Sequence, residues 1–261
     1  MEIQVIVATH KKYKMPNDKM YFPIHVGKEG KEGIGYTGDN TGDNISSKNP
    51  YYCELTGLYW AWKNLNANYI GLAHYRRHFS FAKKLPKDIE GRINKVLSYE
   101  EAKNILNNTD IILPKKRNYF IETLYSHYEH TMYVEPLNET EKILTEKYPE
   151  YLEEFEKLHK RTSAHMFNMF IMKKEILDKY CKWLFDILFE LEKRVNPSKY
   201  DSFHARYLGR ISELLLDVWI NTNNLTYKEI SVIDIEKVNW IKKGTSFLKA
   251  KFFKKKYGKS F

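Results

Sequence analysis

Short apolar runs with the length of buried strands alternate along this chain with longer segments of helical periodicity. Residues 3–8 (IQVIVA) and 69–73 (YIGLA) consist almost wholly of apolar side chains, as in strands that are covered on both faces. Residues 177–191 instead repeat Leu and Tyr every three or four positions, which places them on one face of a helix. This alternation predicts an α/β fold in which a mostly parallel, twisted sheet is flanked by helices.

The same pattern continues to about residue 240. Further strands are predicted at residues 110–113, 166–172 and 229–235, and further helices at 52–64, 98–107, 138–160 with an interruption at Pro149, and 205–221. A long polar segment from His10 to Asn49 carries six of the twelve glycines. These glycines match neither the GxxxxGK nor the GxGxxG spacing of phosphate-binding loops, but a loop this long in a compact domain is usually functional.

The positive charge of the chain is concentrated at its end. The net charge is +10, yet residues 241–261 contain eight lysines and no acid, so the rest of the chain carries only +2. We therefore predict one domain over residues 1–240 and a basic C-terminal tail over 241–261. A nearly neutral body argues against nucleic acid as a partner. The aromatic, Lys-rich tail fits an anionic membrane surface, with a solvated basic terminus as the alternative.

Cysteine usage and the first residues bear on the compartment. Cys53 and Cys181 have neither metal-ligand spacing nor the number needed for a disulfide framework. The chain shows no signal-peptide pattern and no apolar stretch long enough to span a bilayer. We expect a cytoplasmic protein peripheral to the inner face of the membrane. The aromatic content of 15% fits sugar binding or an AT-rich genome equally well.

Two predicted strand ends carry polar side chains that can bind a ligand. Thr9 and His10 follow the first strand, and His74-Tyr75-Arg76-Arg77 follows the second. Ligands of α/β sheets bind beyond the carboxyl ends of the strands, and the guanidinium group binds phosphate oxygens through two parallel hydrogen bonds. The pattern indicates a diphosphate site, with a surface ion-pair cluster as the alternative.

Several long strings carry a resemblance to a known family. They are VIVATHKKY, TGDNISSKNPYYCELTGLYWAWKN, YIGLAHYRRHF and HMFNMFIMKKEILDKYCKWLFDIL. From the first strand to about residue 222, the chain closely resembles a bacterial family of capsular and exopolysaccharide glycosyltransferases that was long described only as a domain of unknown function. Some members of that family look like galactofuranosyltransferases. The resemblance implies a GT-A-like fold, a UDP-sugar donor and a saccharide acceptor, including a lipid-linked one.

One departure from the usual GT-A pattern concerns the metal. Such enzymes place Asp-x-Asp at the end of a core strand, where this chain has His74-Tyr75-Arg76. Divalent metals such as Mg and Mn need carboxylate oxygens, so we expect no metal and propose that Arg76, Arg77 and His74 stabilise the leaving UDP instead. The alternative is a Mn or Mg site formed by Asp39 and Asp43 of the long loop.

The resemblance also assigns roles to individual residues. An inverting transfer, the default expectation, needs a general base; Glu213 is the first candidate, and an ordinary helix-surface glutamate is its alternative. The residues expected at the catalytic centre are Glu213, Arg76 and His74. Those expected to bind the donor are Thr9, His10, Asp43, Asn44, Ser46, Asn49, Glu54, Tyr75 and Arg77. Those expected to bind the acceptor are His127, His165 and Asn168. The rival hypothesis is a non-catalytic carbohydrate-binding accessory protein, which nucleotide binding would exclude.

Overall fold

The computed structural model describes residues 1–236, which contain ten strands and nine α-helices. The strands are β1 Ile3–Thr9, β2 Tyr21–His25, β3 Thr37–Gly38, β4 Tyr69–His74, β5 Arg77–Ser80, β6 Ile111–Pro114, β7 Arg117–Asn118, β8 Ser163–Ala164, β9 Phe170–Lys173 and β10 Lys228–Asp234. The helices are α1 Asn49–Tyr52, α2 Leu55–Asn64, α3 Ile89–Ile93, α4 Tyr99–Leu106, α5 Leu124–Thr131, α6 Glu135–Lys147, α7 Leu152–Lys160, α8 Lys174–Arg194 and α9 Tyr207–Thr222. None of these helices is long and apolar enough to cross a bilayer.

The described residues gather into two compact units. The first comprises residues 1–115, 167–182 and 226–236, and the second comprises residues 116–166 and 183–225. Helix α8 therefore begins in the first unit and ends in the second. The predicted domain boundary at residue 240 and the predicted tail over residues 241–261 lie outside the described residues.

The first unit is built on an eight-stranded sheet of order β3-β2-β1-β4-β5-β10-β6-β9, with β9 also paired to β4. Strands β3, β2, β1 and β4 are mutually parallel. Strands β5 and β9 run antiparallel to their neighbours, and only β10 and β6 form a further parallel pair. The α/β prediction is confirmed: six of the eight strands run in one direction, and only β5 and β9 run in the opposite one. The reversal of these two strands depends on long-range pairing that local periodicity does not contain.

The segment from His10 to Asn49 is not one long loop. Strand β2 lies inside it and pairs in parallel with β1, with Val7 opposite Pro23. A proline and a terminal histidine interrupt the apolar run, and proline within a short run argues against a central strand. For this reason β2 was not predicted from the sequence, although pairing with β1 stabilises it in the structure.

Close packing at the centre of the sheet depends on Gly71 in β4. A Cβ atom at this position would lie 2.8 Å from the carbonyl oxygen of Phe170 in the adjacent β9. The strand then turns sharply: His74 pairs with Arg77, so only Tyr75 and Arg76 lie between β4 and β5. The predicted polar strand end is therefore a tight hairpin turn.

Helix boundaries largely follow local signals. The capping box predicted at Ser98 is present, with Ser98 and Glu101 each accepting a hydrogen bond from the backbone N–H of the other. A 3-10 turn at Pro149–Tyr151 separates α6 from α7, as the proline predicted. Helix α9 is buried along most of its length and includes the polar residues Glu213 and Asp217 among its buried side chains. It lies in the second unit.

Candidate functional site

Parallel strands of the first unit end side by side at one edge of the sheet. The register places Thr9 opposite His25 and Ala8 opposite His74. Thr9 is buried, and its hydroxyl donates to the carbonyl of Lys11 at 2.6 Å. His25 is also buried, and its Nδ1 has no hydrogen-bond partner within residues 1–236. The edge thus carries two imidazoles, at His25 and His74, of which the sequence predicted only the second.

The hydrogen bond of His74 determines which of its ring nitrogens carries a proton. Its Nε2 lies 2.6 Å from the carbonyl oxygen of Phe167. A carbonyl only accepts, so Nε2 carries a proton, and in the neutral ring Nδ1 is left as an acceptor. Phe167 and Asn168 both have left-handed backbone conformations, with φ of 77° and 53°. Non-glycine residues in such conformations often occur at functional sites.

Glu54 is held by this strained turn. Asn168 is buried, and its Nδ2 donates to Oε1 of Glu54 at 2.8 Å. Cys53, directly before Glu54, has φ of 52°, which separates α1 from α2 where the sequence predicted one helix over 52–64. The prediction placed Asn168 on the acceptor side; in the structure its amide orients a predicted donor-binding residue.

The two arginines of the hairpin turn both have acidic neighbours near the end of β10. Arg77 Nε donates to Oδ1 of Asp234 at 3.1 Å, and the Arg77 guanidinium lies 4.5 Å from the centre of the Phe167 ring. Arg76 is more exposed and lies 3.7 Å from Glu236. The closer contacts of Arg77 with Asp234 and Phe167 stabilise the turn. Glu236 is the ion-pair partner of Arg76 within residues 1–236, and this longer, exposed pair leaves other N–H donors of Arg76 able to contact an anion.

Cations converge on Tyr75 in the same turn. The Nζ of Lys11 lies 5.2 Å from the centre of the Tyr75 ring, and the Arg76 guanidinium lies 5.3 Å from it. His10 meets the same ring edge-on at 5.3 Å, and Tyr13 at 5.0 Å. The ring thus holds three groups that can carry positive charge beside the strand edge, which suits an anionic ligand.

Asp39 organises the loop beside this edge and has no capacity left for a metal. Its carboxylate accepts from the backbone N–H groups of Gly27 (2.8 Å) and Lys28 (3.0 Å) and from the hydroxyls of Thr56 (2.5 Å) and Ser46. Four donors therefore occupy its oxygens. Within residues 1–236, no three His, Cys, Asp or Glu side chains are grouped as metal ligands.

Four other predicted donor-binding residues form hydrogen bonds within their own segment. Ser46 is buried against Asp39, and Asn44 Oδ1 accepts from the Ser46 N–H at 3.1 Å. Asn49 Nδ2 donates to the carbonyl of Cys53 at 2.7 Å. Asp43 is more exposed and accepts from the Tyr59 hydroxyl at 3.2 Å. Apart from Asp43, these side chains shape the segment that leads to Glu54.

A second polar cluster lies in the second unit around Glu122. This glutamate is buried, and its two carboxylate oxygens lie 3.0 Å from Nδ1 of His127 and 2.9 Å from Nδ1 of His130. Burial lowers the pKa of His127 to about 4 despite the adjacent carboxylate, so the ring is neutral at pH 7. Glu122 therefore orients two imidazole rings, one of them the predicted acceptor ligand.

Glu213 belongs to the same surroundings. It is buried in α9 and lies 3.4 Å from Nη1 of Arg210. Burial raises the pKa of Tyr119, and the negative charges of Glu213 and Glu122 add to that effect. The ring of Tyr119 lies 4.1 Å from that of His127. The first candidate for a general base therefore lies among ionisable groups rather than on a plain helix surface.

His165 lies elsewhere in the second unit. It is fully buried, and its Nδ1 and backbone N–H both contact the carboxylate of Asp217. A side chain with no exposed surface is in no position to bind a ligand directly in this conformation. The structure gives it the role of a buried polar anchor between α9 and the segment after β8.

Cations gathered around an aromatic ring at the edge of parallel strands are an arrangement that suits an anionic ligand. The family described as "Domain of unknown function (DUF4422)" matches residues 4–224, so the chain belongs to that family. Among solved structures, the chain is similar to the apo structure of WbbM, a bifunctional glycosyltransferase. The identity is 32%, the TM-score is 0.83, and the match covers 91% of this chain and 46% of that one. The chain thus spans about half of that protein. No curated protein matches it.

Three residues of these clusters were missed from the sequence. Lys11 looked like one lysine in a polar segment, and His25 lay in a strand that was not predicted. Glu122 had a partial signal, because His127 and His130 are three residues apart on one face of α5 and Glu122 lies directly before Thr123, the residue that caps that helix. The match to a solved glycosyltransferase supports the glycosyltransferase part of the resemblance.

Proposed function

We propose that this protein is a glycosyltransferase that moves a hexose, galactofuranose or galactose, from a UDP-sugar onto a saccharide acceptor. The observation that carries the proposal is the similarity to a bifunctional glycosyltransferase over 91% of the chain. The cationic edge of the parallel strands supplies the matching chemistry, because a nucleoside diphosphate is the anion such an edge fits. We place the reaction in capsular or exopolysaccharide synthesis at the inner face of the cell membrane.

The donor diphosphate is assigned to the Tyr75 cluster. The Nζ of Lys11 lies 5.2 Å and the guanidinium of Arg76 lies 5.3 Å from the centre of the Tyr75 ring. Both can therefore reach an anion bound beside that ring. As the bond between the sugar and UDP breaks, negative charge develops on the departing phosphate oxygen. Fixed cations stabilise that charge more than they stabilise the bound substrate. Glu54, oriented by Asn168, is assigned to hydroxyl groups of the donor.

The proposal includes a reaction without a bound metal. Its support is the cationic character of the strand end where an acidic pair would hold a metal, together with the four donors that occupy Asp39. Either a divalent ion or fixed cations can neutralise a leaving diphosphate. We assign this role to the fixed cations Lys11 and Arg76.

Glu213, the base predicted from the resemblance, is assigned to take the proton of the acceptor hydroxyl. In an inverting transfer, the acceptor hydroxyl loses its proton to the carboxylate as its oxygen bonds to the anomeric carbon. The bond to UDP breaks in the same step, and UDP leaves with the electron pair. His127, kept neutral by burial, is assigned to hydrogen-bonding a sugar hydroxyl.

Product analysis with UDP-galactose and UDP-galactofuranose tests this function. We expect transfer to a synthetic alkyl galactoside with excess EDTA at the same rate as with Mn. Glu213→Gln should lower kcat by about 10²–10⁴, the usual range for losing a general base. Glu129→Gln, on an exposed position of α5, should leave kcat unchanged. Strict dependence on Mn would overturn the metal-free reaction, and absence of transfer with bound UDP would overturn the enzyme assignment.

A further inference from the structure

An exposed apolar and basic loop follows β5 in the first unit. Seven large apolar side chains are exposed within residues 1–236, and three of them lie here: Phe81 (49%), Leu85 (45%) and Ile89 (44%). The loop, residues 81–89, also contains Lys83, Lys84 and Lys87, all exposed, and a single acid, Asp88. Large apolar groups interleaved with lysines are typical of surfaces that enter the interface of an anionic bilayer.

The loop is fixed in place. Asp88 caps α3 by accepting from the N–H of Gly91 at 2.6 Å. Gly91 lets Pro86 pack directly on the helix, because a Cβ there would lie 2.6 Å from Cβ of Pro86. Arg92 Nε donates to the carbonyl of Pro86 at 2.9 Å. The apolar side chains are therefore presented by an ordered backbone.

The same loop lies beside the point where the described chain ends. Arg92 Nη1 donates to the carbonyl of Asp234 at 2.6 Å, while Nε of the same guanidinium holds Pro86. Ile93 packs with Ile233 and Ile235. The sequence that continues from Lys237 contains the eight lysines of residues 241–261. The last described residues of the chain therefore lie beside this loop.

We infer that residues 81–89 form a membrane-docking surface for anionic lipid. Phe81, Leu85 and Ile89 enter the interface, and Lys83, Lys84 and Lys87 contact the headgroups. Anionic lipids attract each lysine near the surface, and the apolar groups then add burial that salt does not screen. The inference rests on this surface alone and does not depend on the proposed sugar transfer.

Vesicle co-sedimentation of the full-length chain tests the surface. The probes are vesicles of phosphatidylcholine and vesicles of equal parts phosphatidylcholine and phosphatidylglycerol. We expect binding to the anionic vesicles only. The triple variant Phe81→Ser, Leu85→Ser, Ile89→Ser should lower the partition coefficient at least tenfold. The matched control, Phe120→Ser with Ile121→Ser, removes exposed apolar groups of 81% and 56% exposure from the second unit and should bind like the wild type.

A second measurement covers the case in which the triple variant is poorly folded. An environment-sensitive fluorophore on Leu85→Cys should brighten and shift to the blue on anionic vesicles, whereas the same label on Ile121→Cys should not. The wild-type chain, labelled in parallel, corrects for its own cysteines. Unchanged partition of a folded triple variant, equal binding to neutral vesicles, or equal responses of the two labels would each overturn the inference.

Discussion

Asp39 shows how one buried side chain determines the shape of the edge beside the candidate site. Its carboxylate ties the backbone after β2 to Ser46 and to Thr56 in α2. The Asp39 N–H also donates to the carbonyl of His25 at 3.1 Å. One residue thereby connects a strand end, the following loop and a helix.

Asp39→Asn should lower the free energy of unfolding by about 2–3 kcal/mol. The amide replaces one accepting oxygen with a donor, so a buried donor loses its partner. Urea unfolding followed by circular dichroism measures this change. Asp43→Asn is the matched control, because Asp43 is more than half exposed and its replacement should change stability by no more than about 0.5 kcal/mol. Equal effects of the two substitutions would contradict the role of Asp39.

His78 should make stability depend on pH. Burial lowers its pKa from 6.5 to about 3, and the neighbouring imidazole of His74 adds to the effect. Below pH 6.5, His78 is protonated in the unfolded state but stays neutral in the folded state. The free energy of unfolding therefore falls as the pH drops from 6.5 towards 3.

His78→Phe, which removes the titrating group, should reduce the slope of unfolding free energy against pH by about 1.4 kcal/mol per pH unit between pH 4 and 6. Urea titrations at three pH values in that window measure both slopes. Some slope should remain in the variant, because burial also lowers the pKa of His127. Identical slopes in the two proteins would show that His78 does not titrate as described.

Individual residues of the site were only partly predictable. Arg76, Arg77 and His74 could be found because they directly follow an apolar run. Their partners could not, since Asp234 and Glu236 are about 160 positions away in sequence and meet the turn only through the pairing of β10 with β5. For the same reason, the contact between Arg77 and the ring of Phe167 could not be predicted.

At the scale of secondary-structure elements, the strained turn before β9, Phe167 and Asn168, contacts the candidate site directly. Both of its residues with positive φ face predicted site residues, since Phe167 accepts from His74 and Asn168 donates to Glu54. Backbone strain and hydrogen bonding can be separated at Asn168 by comparing two substitutions. Glycine and alanine both remove the amide that donates to Glu54, but only glycine also relieves the backbone strain.

Asn168→Gly and Asn168→Ala should weaken donor binding equally and stability unequally. Both lack the amide that orients Glu54, so KM for the UDP-sugar should rise to the same extent in each. The alanine variant must still adopt the unfavourable left-handed backbone conformation. Its free energy of unfolding should therefore be about 1 kcal/mol lower than that of the glycine variant. Steady-state kinetics and urea unfolding measure the two effects. A normal KM in both variants would remove Glu54 from the donor site.

Elements with a strong local signal were predicted well. β1, β4, β6 and β10 lie within two residues of the apolar runs that predicted them. By contrast, β9 begins only at Phe170 rather than at residue 166, because the turn at 167–168 occupies the start of that apolar run. The mixed directions of the sheet were not predictable, since a strand pairs according to the whole topology.

At the scale of the whole molecule, charge is divided between a nearly neutral body and a lysine-rich end. Truncation after Asn239 removes the eight lysines of residues 241–261. We expect this to lower binding to anionic vesicles at least tenfold at low salt and to leave turnover of a soluble acceptor unchanged. Co-sedimentation and a transfer assay on the same preparation measure both. Lost turnover with intact folding would instead place part of the tail in catalysis.

We propose that the first unit holds a nucleoside diphosphate through cations at the edge of its parallel strands. Calorimetric titration with UDP tests it most directly, with EDTA or Mn present and with Arg76→Ala, Lys11→Ala and Lys19→Ala in parallel. We predict binding that is independent of Mn, falls at least tenfold in the first two variants, and is unchanged in Lys19→Ala, whose ammonium lies over Tyr99. Absence of UDP binding, or equal affinity in all three variants, would contradict the account.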